Sequence, residues 1–301
     1  MRANKVLKNS AIFATLFLLI LAYGCGPSSK STTNYRTGTK GVEINFAESS
    51  PPESLHYSQG GDNRVAVSIE VRNLGAESCD GATIYLSGYD PNILPLPSTV
   101  SVKRLEGKEE SKNPSGSLEY VEVGNFEFRM PSGVDFIEIP LMATACYKYK
   151  TIAGTTVCID PNPSKPGTKA CKPARSISMS GGQGGPVSVT SIQQESGVGN
   201  VIFTFTIKNV GGGEVISSDS TGTCMSADLS KQNLVKVSGS LSDRQMSCTP
   251  SDVRLVNGEG IVVCKVSGLS SSQSAYTTNV QLTLEYGYKY STVKNVKLIR
   301  L

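Results

Sequence analysis

The chain contains the same kind of segment twice, VAVSIEVRNLG at residues 65–75 and VIFTFTIKNVG at residues 201–211. In the first copy, apolar residues alternate with smaller or polar ones from Val65 to Val71, and this period of two is typical of a half-buried β-strand. Each copy ends in Asn-x-Gly, which predicts a turn because Asn and Gly tolerate a positive φ. The two segments therefore predict equivalent strands in two halves of the chain.

A second pair of segments supports an internal duplication. ACYKYKT at residues 145–151 matches YGYKYST at residues 286–292, with an offset of 141 residues, whereas the first pair has an offset of 136. Each of the later segments follows another alternating apolar run. Repetition of two segments in the same order indicates a duplicated unit.

The predicted fold is all-β, with two tandem immunoglobulin-like β-sandwich domains at residues 41–152 and 176–301. Each domain has the length of a seven- or eight-stranded sandwich, and turn signals separate short apolar runs. Asn257-Gly258 between two such runs predicts a β-hairpin. Residues 153–175 are rich in Pro and are predicted to form a linker between the domains, and the Gly-rich residues 180–186 a flexible lead-in to the second one.

The alternating strand that closes on Asn-x-Gly resembles the CARDB and related immunoglobulin-like modules of archaeal and bacterial surface proteins. The resemblance covers both halves. It implies a sandwich fold and display outside the cell, and it supplies no ligand and no catalytic residue.

Composition excludes several classes of protein. The 301 residues are 38% hydrophobic and 18% charged, which is typical of a folded chain and not of a disordered or multi-span membrane protein. The formal net charge is +4, but Arg2, Lys5 and Lys8 lie in the first 24 residues, so the remainder is close to neutral. A neutral surface gives no electrostatic reason to expect a nucleic acid as partner.

The N-terminus has the pattern of an export signal. A polar, basic head is followed by the apolar run AIFATLFLLILAYG at residues 11–24. As a helix this run would reach about 21 Å, which is shorter than the hydrocarbon core of about 30 Å. We therefore interpret residues 1–24 as a signal peptide or membrane anchor.

The sequence LAYGC at residues 21–25 resembles the lipobox of prokaryotic lipoproteins, which makes Cys25 a candidate for lipidation. It departs from the usual pattern because Leu21 is displaced by one position and Tyr23 occupies a place where small residues are common. Ordinary cleavage and an uncleaved anchor remain alternatives. Residues 25–40 are polar and are predicted to form a flexible tether. The predicted location is the outer face of the cell membrane.

The eight cysteines predict disulfides rather than a metal site, since none forms a Cys-x-x-Cys pair and the chain has one histidine. The duplication suggests a Cys79–Cys146 bond, because both positions lack a cysteine in the second copy. Cys158 and Cys171 flank the Pro-rich loop, and Cys248 and Cys264 lie on the two arms of the predicted Asn257-Gly258 hairpin, which suggests two further bonds, Cys158–Cys171 and Cys248–Cys264. Cys224 is then unpaired and expected to be a buried free thiol; a bond to another chain and a bond to Cys248 or to Cys264 are the alternatives.

Catalytic and metal motifs are weak, so we expect no catalytic residue, no cofactor and no metal. His56 is the only histidine, and Ser291-x-x-Lys294 lies in a stretch with strand character. Scattered acids are interpreted as a solvated face; they are Glu119, Glu122, Glu127 and Glu138. Asp90-Pro-Asn and Asp160-Pro-Asn are interpreted as turns, with calcium loops as the alternative. The tyrosines of residues 145–151 and 286–292 are expected to pack beneath a sandwich edge, with an aromatic stripe for sugar or protein contact as the alternative.

These observations predict a non-catalytic protein, anchored at the cell surface, with a structural or adhesive role. Its expected partners are the membrane at the N-terminus and a protein or a surface polysaccharide; the oligomeric state is open. A binding subunit of a pilus, secretion or transport assembly is the alternative, using an exposed edge strand. An extracellular carbohydrate-active enzyme is a remote alternative.

Overall fold

The structure, a computed structural model, describes residues 35–109 and 111–301, and its fold is all-β. Cys25, the lipobox-like sequence and the apolar N-terminal run lie outside the described residues. The first half of the chain contributes these strands: β1 (Val42–Phe46), β2 (Ser54–Tyr57), β3 (Arg64–Asn73), β4 (Ala82–Ser87), β5 (Thr99–Val102), β6 (Leu118–Glu127) and β7 (Phe136–Ile159).

The second half contributes more and shorter strands. They are β8 (Ser176–Ser178), β9 (Val187–Gly197), β10 (Asn200–Asn209), β11 (Glu214–Ile216), β12 (Leu234–Leu241), β13 (Arg244–Gln245), β14 (Ser247–Thr249), β15 (Asp252–Arg254), β16 (Glu259–Ser267) and β17 (Tyr276–Arg300). Two 3₁₀ segments, Ser218–Ser226 and Leu229–Lys231, lie between β11 and β12. The predicted Asn257-Gly258 turn is present, with positive φ at both residues and a bridge between Val256 and Glu259. The predicted hairpin extends no further, because β15 pairs with β12 whereas β16 pairs with β10 and β14.

The longest strands, β7 and β17, pair antiparallel along 24 residues of β7, from Ile159 opposite Tyr276 to Phe136 opposite Ile299. They form the centre of a nine-stranded sheet with the order β13-β12-β17-β7-β4-β5. The outer edge of β17 pairs in turn with β12, β11 and β2. Strands from both halves of the chain are therefore hydrogen-bonded into one sheet.

This shared sheet corrects the predicted division into two domains joined by a linker. The boundary at residue 152 falls inside β7, which continues to Ile159. Residues 34–301 form one compact unit. The physical reason is that β7 has 24 residues and β17 has 25, roughly four times the commonest strand length, so each can pair with its own half and with the other half.

Two smaller sheets repeat one arrangement. One has the order β1-β3-β6, and the other has the order β14-β16-β10-β9-β8. Within the second sheet, β9, β10 and β16 have the same chain order and the same neighbours as β1, β3 and β6. The duplication inferred from the sequence is thus repeated in the strand pairing.

Alternating apolar residues place the core between the sheets. In β3, Val65, Val67, Ile69 and Val71 are all at most 3% exposed. These four residues belong to one hydrophobic cluster, which includes residues of all three sheets. Burying each such side chain contributes roughly 1.5–3 kcal/mol before the entropy of ordering is subtracted.

Part of the predicted tether, residues 35–40, belongs to the fold. The Gly38 amide donates to the carbonyl of Gly181 over 2.7 Å, and the Gly184 amide donates to Gly38 over 2.9 Å. The Gly-rich residues 180–186 are therefore packed and are not a flexible lead-in. Their glycines permit this because Gly181, Gly182 and Gly184 have positive φ.

Candidate functional site

Four tyrosines form a closed ring at the centre of the fold, which we call the tyrosine quartet: Tyr147, Tyr149, Tyr286 and Tyr288. Ring centroids lie 5.8 Å apart for Tyr147–Tyr149, 6.4 Å for Tyr149–Tyr286, 6.3 Å for Tyr286–Tyr288 and 5.9 Å for Tyr288–Tyr147. None is more than 4% exposed. These four tyrosines are packed and do not form a surface stripe, but they lie on the central strands β7 and β17 and not beneath a sheet edge as expected.

Two members of the quartet bind the Asn-x-Gly segments. Tyr149 donates to Oδ1 of Asn73 over 3.0 Å and to the carbonyl of Glu77 over 2.8 Å. In the other half, Tyr288 donates to Oδ1 of Asn209 over 3.1 Å. Its hydroxyl also accepts from the amide of Gly213 over 2.8 Å. Each Asn side chain thus joins the end of one sheet to the central pair of strands.

The other two members hold the beginnings of equivalent strands. The Tyr147 hydroxyl accepts from the amide of Val42 over 3.0 Å, at the start of β1. The Tyr286 hydroxyl lies 2.7 Å from Thr151 Oγ1 and accepts from the amide of Val187 over 3.4 Å, at the start of β9.

These partners correct the alignment of the two copies. Tyr147 is structurally equivalent to Tyr286, because both accept from the first residue of a strand. Tyr149 is equivalent to Tyr288, because both donate to the Asn of an Asn-x-Gly segment. The structural offset at the tyrosines is therefore two residues smaller than the sequence match suggested.

The Asn-x-Gly glycines are required by close approach. A Cβ on Gly75 would lie 2.0 Å from the Tyr149 hydroxyl, and one on Gly211 would lie 2.4 Å from the Tyr288 hydroxyl. Neither glycine has a left-handed φ, so the predicted reason, turn formation at positive φ, is wrong. The sequence motif identified Gly75 and Gly211, but it did not indicate that each makes room for a tyrosine hydroxyl.

Burial extends to higher pH the range in which the hydroxyls of the quartet stay protonated. Desolvation raises the pKa of Tyr147 and Tyr286 well above the ordinary value, and it raises the pKa of Tyr288 to about 12. The hydroxyls are therefore protonated at neutral pH and act as hydrogen-bond donors and acceptors.

The predicted Cys79–Cys146 bond is wrong, as is the prediction that Cys224 is unpaired. Cys146 is bonded to Cys224, and Cys79 is a buried free thiol. The reason is side-chain alternation. Because Tyr147 and Tyr149 face the core, Cys146 points to the opposite face of the sheet, whereas Cys79 packs in the core.

The 3₁₀ segment Ser218–Ser226 covers that opposite face and supplies Cys224. Gly287 makes room for it, since a Cβ there would lie 2.8 Å from atoms of Ile216, Ser217 and Thr221. The second copy thus carries an insertion bonded across the central strands to the first copy. No sequence pattern in the first copy indicated this partner.

The other two predicted disulfides are present. Cys158 is bonded to Cys171, and Cys248 is bonded to Cys264. The second bond joins directly opposite residues of β14 and β16. It therefore fixes β14 to the edge of its sheet.

The Pro-rich loop closed by Cys158–Cys171 is organised by Lys169. Its ammonium group donates to the buried carboxylate of Asp160 and, over 3.1 Å each, to the carbonyls of Asn162 and Pro163. Asp160 also accepts from the Asn162 amide over 3.2 Å, and Asp90 accepts from the Asn92 amide over 2.9 Å. The Asp-Pro-Asn sequences therefore form Asx turns, as the turn interpretation predicts.

A cleft of about 1130 Å³ lies between this loop and β9. Its wall carries charges of both signs, including Lys172, Arg175 and Glu195. Gln194, in the wall of the cleft, is 4% exposed; its Nε2 donates to the Cys158 carbonyl over 2.7 Å, and its Oε1 has no hydrogen-bond partner among the described residues. The cleft is a candidate site for a polar ligand.

A second groove, of about 870 Å³, lies beside Cys146. Its charged groups are largely paired, since Arg104 binds Asp80 and Glu106, and Lys150 binds Glu77. This pairing leaves little net charge to attract a ligand.

The weak catalytic candidates are not brought together. His56 is exposed on β2, whereas the four predicted surface acids lie on β6 and β7. Ser291 lies on β17 and its hydroxyl is 2.9 Å from that of Thr144. Within residues 35–109 and 111–301, no cluster of three or more His, Cys, Asp or Glu could hold a metal ion. In the same residues no helix is long and apolar enough to cross a membrane.

Comparison with known proteins finds no family model that matches the chain and no significant match among curated proteins.

Proposed function

We propose that this protein is a non-catalytic protein of the cell surface, with a structural or adhesive role through two immunoglobulin-like units. The observation that carries the proposal is the set of disulfides Cys146–Cys224, Cys158–Cys171 and Cys248–Cys264. Such bonds form and persist in oxidising environments outside the cytosol. A chain that begins with a basic head and a short apolar run would reach such an environment by export.

The architecture supports a mechanical or display role. Two copies of one strand arrangement are joined by 24 residues of β7 paired with β17. The hydrogen bonds of the tyrosine quartet and the Cys146–Cys224 bond then tie each copy to this shared ladder. A body of this kind holds its sheet faces, edges and cleft in fixed positions, as a surface-exposed binding protein requires. The CARDB-like resemblance of the strand that ends in Asn-x-Gly supports the same role.

Attachment is proposed through the N-terminus, by lipid on Cys25 or by an uncleaved apolar helix. The partner at the exposed side is proposed to be a surface polysaccharide or a protein. The cleft beside the Pro-rich loop suits a polar partner, because cations, a carboxylate and amides line it.

The test uses the full chain in the cells that make it. We expect the wild-type protein in the membrane fraction and labelled by an amine reagent that does not cross membranes. Cys25→Ser should abolish lipid attachment, while the matched variant Cys79→Ala should leave it unchanged. Recovery of the wild-type protein from the cytosol, with reduced cysteines, would refute the proposal.

A second candidate function is a binding subunit of a larger envelope assembly. It is favoured by β6, whose outer edge pairs with no strand among the described residues. Co-purification of membrane proteins with the full chain, in place of binding to a surface polymer, would favour this candidate.

A further inference from the structure

The edge of the sheet β1-β3-β6 presents an unpaired backbone. The Asn73 amide donates to the carbonyl of Ser117 over 2.9 Å, which makes this opposite pair a hydrogen-bonded one. Hydrogen-bonded pairs alternate with non-hydrogen-bonded pairs along an antiparallel ladder. The backbone amides and carbonyls of Glu119 and Val121 therefore also point to β3. The amides and carbonyls of Leu118, Tyr120 and Glu122 therefore point away from β3, to the open edge.

The second copy shows one end of the equivalent edge occupied. There, β16 pairs on its outer side with β14, antiparallel, at Val263, Cys264 and Lys265. The strand registers place Glu122 at the position of Val263 and Gly124 at the position of Cys264, whereas Tyr120 matches Ile261, which β14 does not reach. Within the described residues, the first copy therefore has neither the edge strand that begins at Glu122 nor the cysteine that fixes it.

The chemistry of the open edge is acidic and partly apolar. β6 carries Glu119, Glu122 and Glu127 and no Lys or Arg. Leu118 is 48% exposed and Tyr120 is 57% exposed. An added strand would meet carboxylates and two apolar side chains. A second copy of this chain fits poorly, since its own β6 would bring further carboxylates into the same short ladder.

We propose that Leu118–Glu122 accepts an extended segment of another protein as an added antiparallel strand, and that this segment alternates Lys or Arg with apolar residues. Main-chain hydrogen bonds to Leu118, Tyr120 and Glu122 supply the affinity, and the charge pattern supplies the specificity. The inference rests on the proposed binding role and specifies where and what the protein binds.

The same features could instead protect the edge from pairing with other chains. They are the acidic side chains and the irregular backbone at Gly124, where φ is 143° and the register with β3 shifts. Edge strands avoid unwanted pairing by such features. The two interpretations differ in outcome: a protected edge rejects every added strand, whereas a docking edge accepts a basic one and rejects an acidic one.

The test uses the purified full chain in mild detergent and two capped seven-residue peptides, one alternating Lys with Val and the other alternating Glu with Val. Hydrogen exchange is followed at single amides. The Lys peptide should slow exchange at Leu118, Tyr120 and Glu122 at least tenfold, and the Glu peptide should not. Unchanged exchange at these amides with both peptides would overturn the proposal.

Two variants locate the interaction. Tyr120→Pro removes an outward amide and keeps the bonds to β3, so it should weaken binding of the Lys peptide at least tenfold. Ile261→Pro changes the matched position, 56% exposed, in the second copy and should leave binding unchanged. Equal loss in both variants would overturn the assignment to β6.

Glu122→Lys provides a measurement that does not depend on how β6 tolerates proline. It should weaken the Lys peptide and strengthen the Glu peptide, and equal binding of both peptides would contradict the charge pattern. If the edge fails these tests while the protein is still labelled on intact cells, the proposed function stands without this docking site.

Discussion

The hydroxyl of Tyr149 donates a 3.0 Å hydrogen bond to Oδ1 of Asn73, the residue that ends β3. Tyr288 makes the same bond with Asn209 at the end of β10. Both tyrosines belong to the central ladder, so each half of the chain is tied to it by the same pair of side chains. The repeated Asn-x-Gly segment is thus a docking point for a buried tyrosine.

Removing one of these hydroxyls should destabilise the whole fold. Tyr149→Phe removes one donor from the Glu77 carbonyl and from Asn73 Oδ1, which keep the Asn73 Nδ2 and Gly75 amide donors. The expected cost is therefore that of an ordinary hydrogen bond, about 0.5–1.5 kcal/mol in the free energy of unfolding. Tyr288→Phe should cost a similar amount. Urea denaturation measures both, and a double-mutant cycle of Tyr149→Phe with Asn73→Ala should show non-additivity.

Tyr290→Phe is the matched control, because Tyr290 is where the sequence match alone placed the counterpart of Tyr149. Its side chain is half-buried, and its hydroxyl has no hydrogen bond within the described part of the chain. We expect a change of less than about 0.5 kcal/mol. An effect as large as that of Tyr149→Phe would contradict the two-residue shift.

A methyl group at the Asn-x-Gly glycines should be tolerated poorly. Gly75→Ala and Gly211→Ala place Cβ 2.0 and 2.4 Å from a tyrosine hydroxyl, so each should lower the melting temperature. Gly222→Ala should have little effect, since nothing lies within 4 Å of its Cβ position. Part of the Gly211→Ala cost should disappear when Tyr288→Phe is added, and its persistence in full would argue against the hydroxyl contact.

Stability should fall at alkaline pH. Burial raises the folded-state pKa of Tyr147 and Tyr286 above the unfolded value of about 10. Their contribution is therefore complete below pH 10 and is lost as the pH rises further, by up to about 1.4 kcal/mol per pH unit for each tyrosine. Urea denaturation between pH 8 and pH 11 checks this; Tyr286→Phe should flatten the dependence, and a flat wild-type profile would contradict it.

Loss of the Cys146–Cys224 bond should cost more than loss of the bond in the Pro-rich loop. It closes 78 residues, against 13 for Cys158–Cys171, so paired serine substitutions should cost about 4 and about 3 kcal/mol respectively. Cys79→Ala should cost only about 1 kcal/mol, because it breaks no bond. If Cys79→Ala costs as much as the loss of the Cys146–Cys224 bond, the result would favour a Cys79–Cys146 bond instead.

Cys79 itself should be unreactive in the folded protein. Burial raises the pKa of its thiol to about 11, and its Sγ lies 3.2 Å from the Gly81 carbonyl. Iodoacetamide at pH 8 should modify it in urea but not in buffer, as peptide mass mapping will show. Modification in buffer at the rate of an open thiol would contradict its position in the core.

Local features of the fold could be predicted from the sequence. Alternation identified the strand from Val65 to Val71, Asn257-Gly258 identified a turn, and proximity along the chain identified Cys158–Cys171. The Asx turns at Asp90 and Asp160 could be predicted from the local sequence Asp-Pro-Asn, because each Asp accepts from the amide two residues later. Each of these features depends on residues that are close in the chain.

Features that depend on distant residues could not be predicted in this way. The Cys146–Cys224 bond required knowing that Cys146 faces away from the core and that an insertion of the second copy covers that face. The shared ladder required knowing that β7 continues past residue 152 and pairs with β17. The open edge of β6 required knowing the strand order, and its end at Glu122 is matched in the second copy by Val263, which pairs with β14.

Of the two proposed modes of attachment, we prefer lipid on Cys25 to an uncleaved helix, and we propose with it that the chain is exported and oxidised outside the cytosol. The intact mass of the native protein extracted from membranes tests all three parts together. We expect the mass of a chain that begins at Cys25, carries a lipid and contains three disulfides, with Cys79 as a thiol. A chain that retains Met1, carries no lipid and has every cysteine reduced would contradict it.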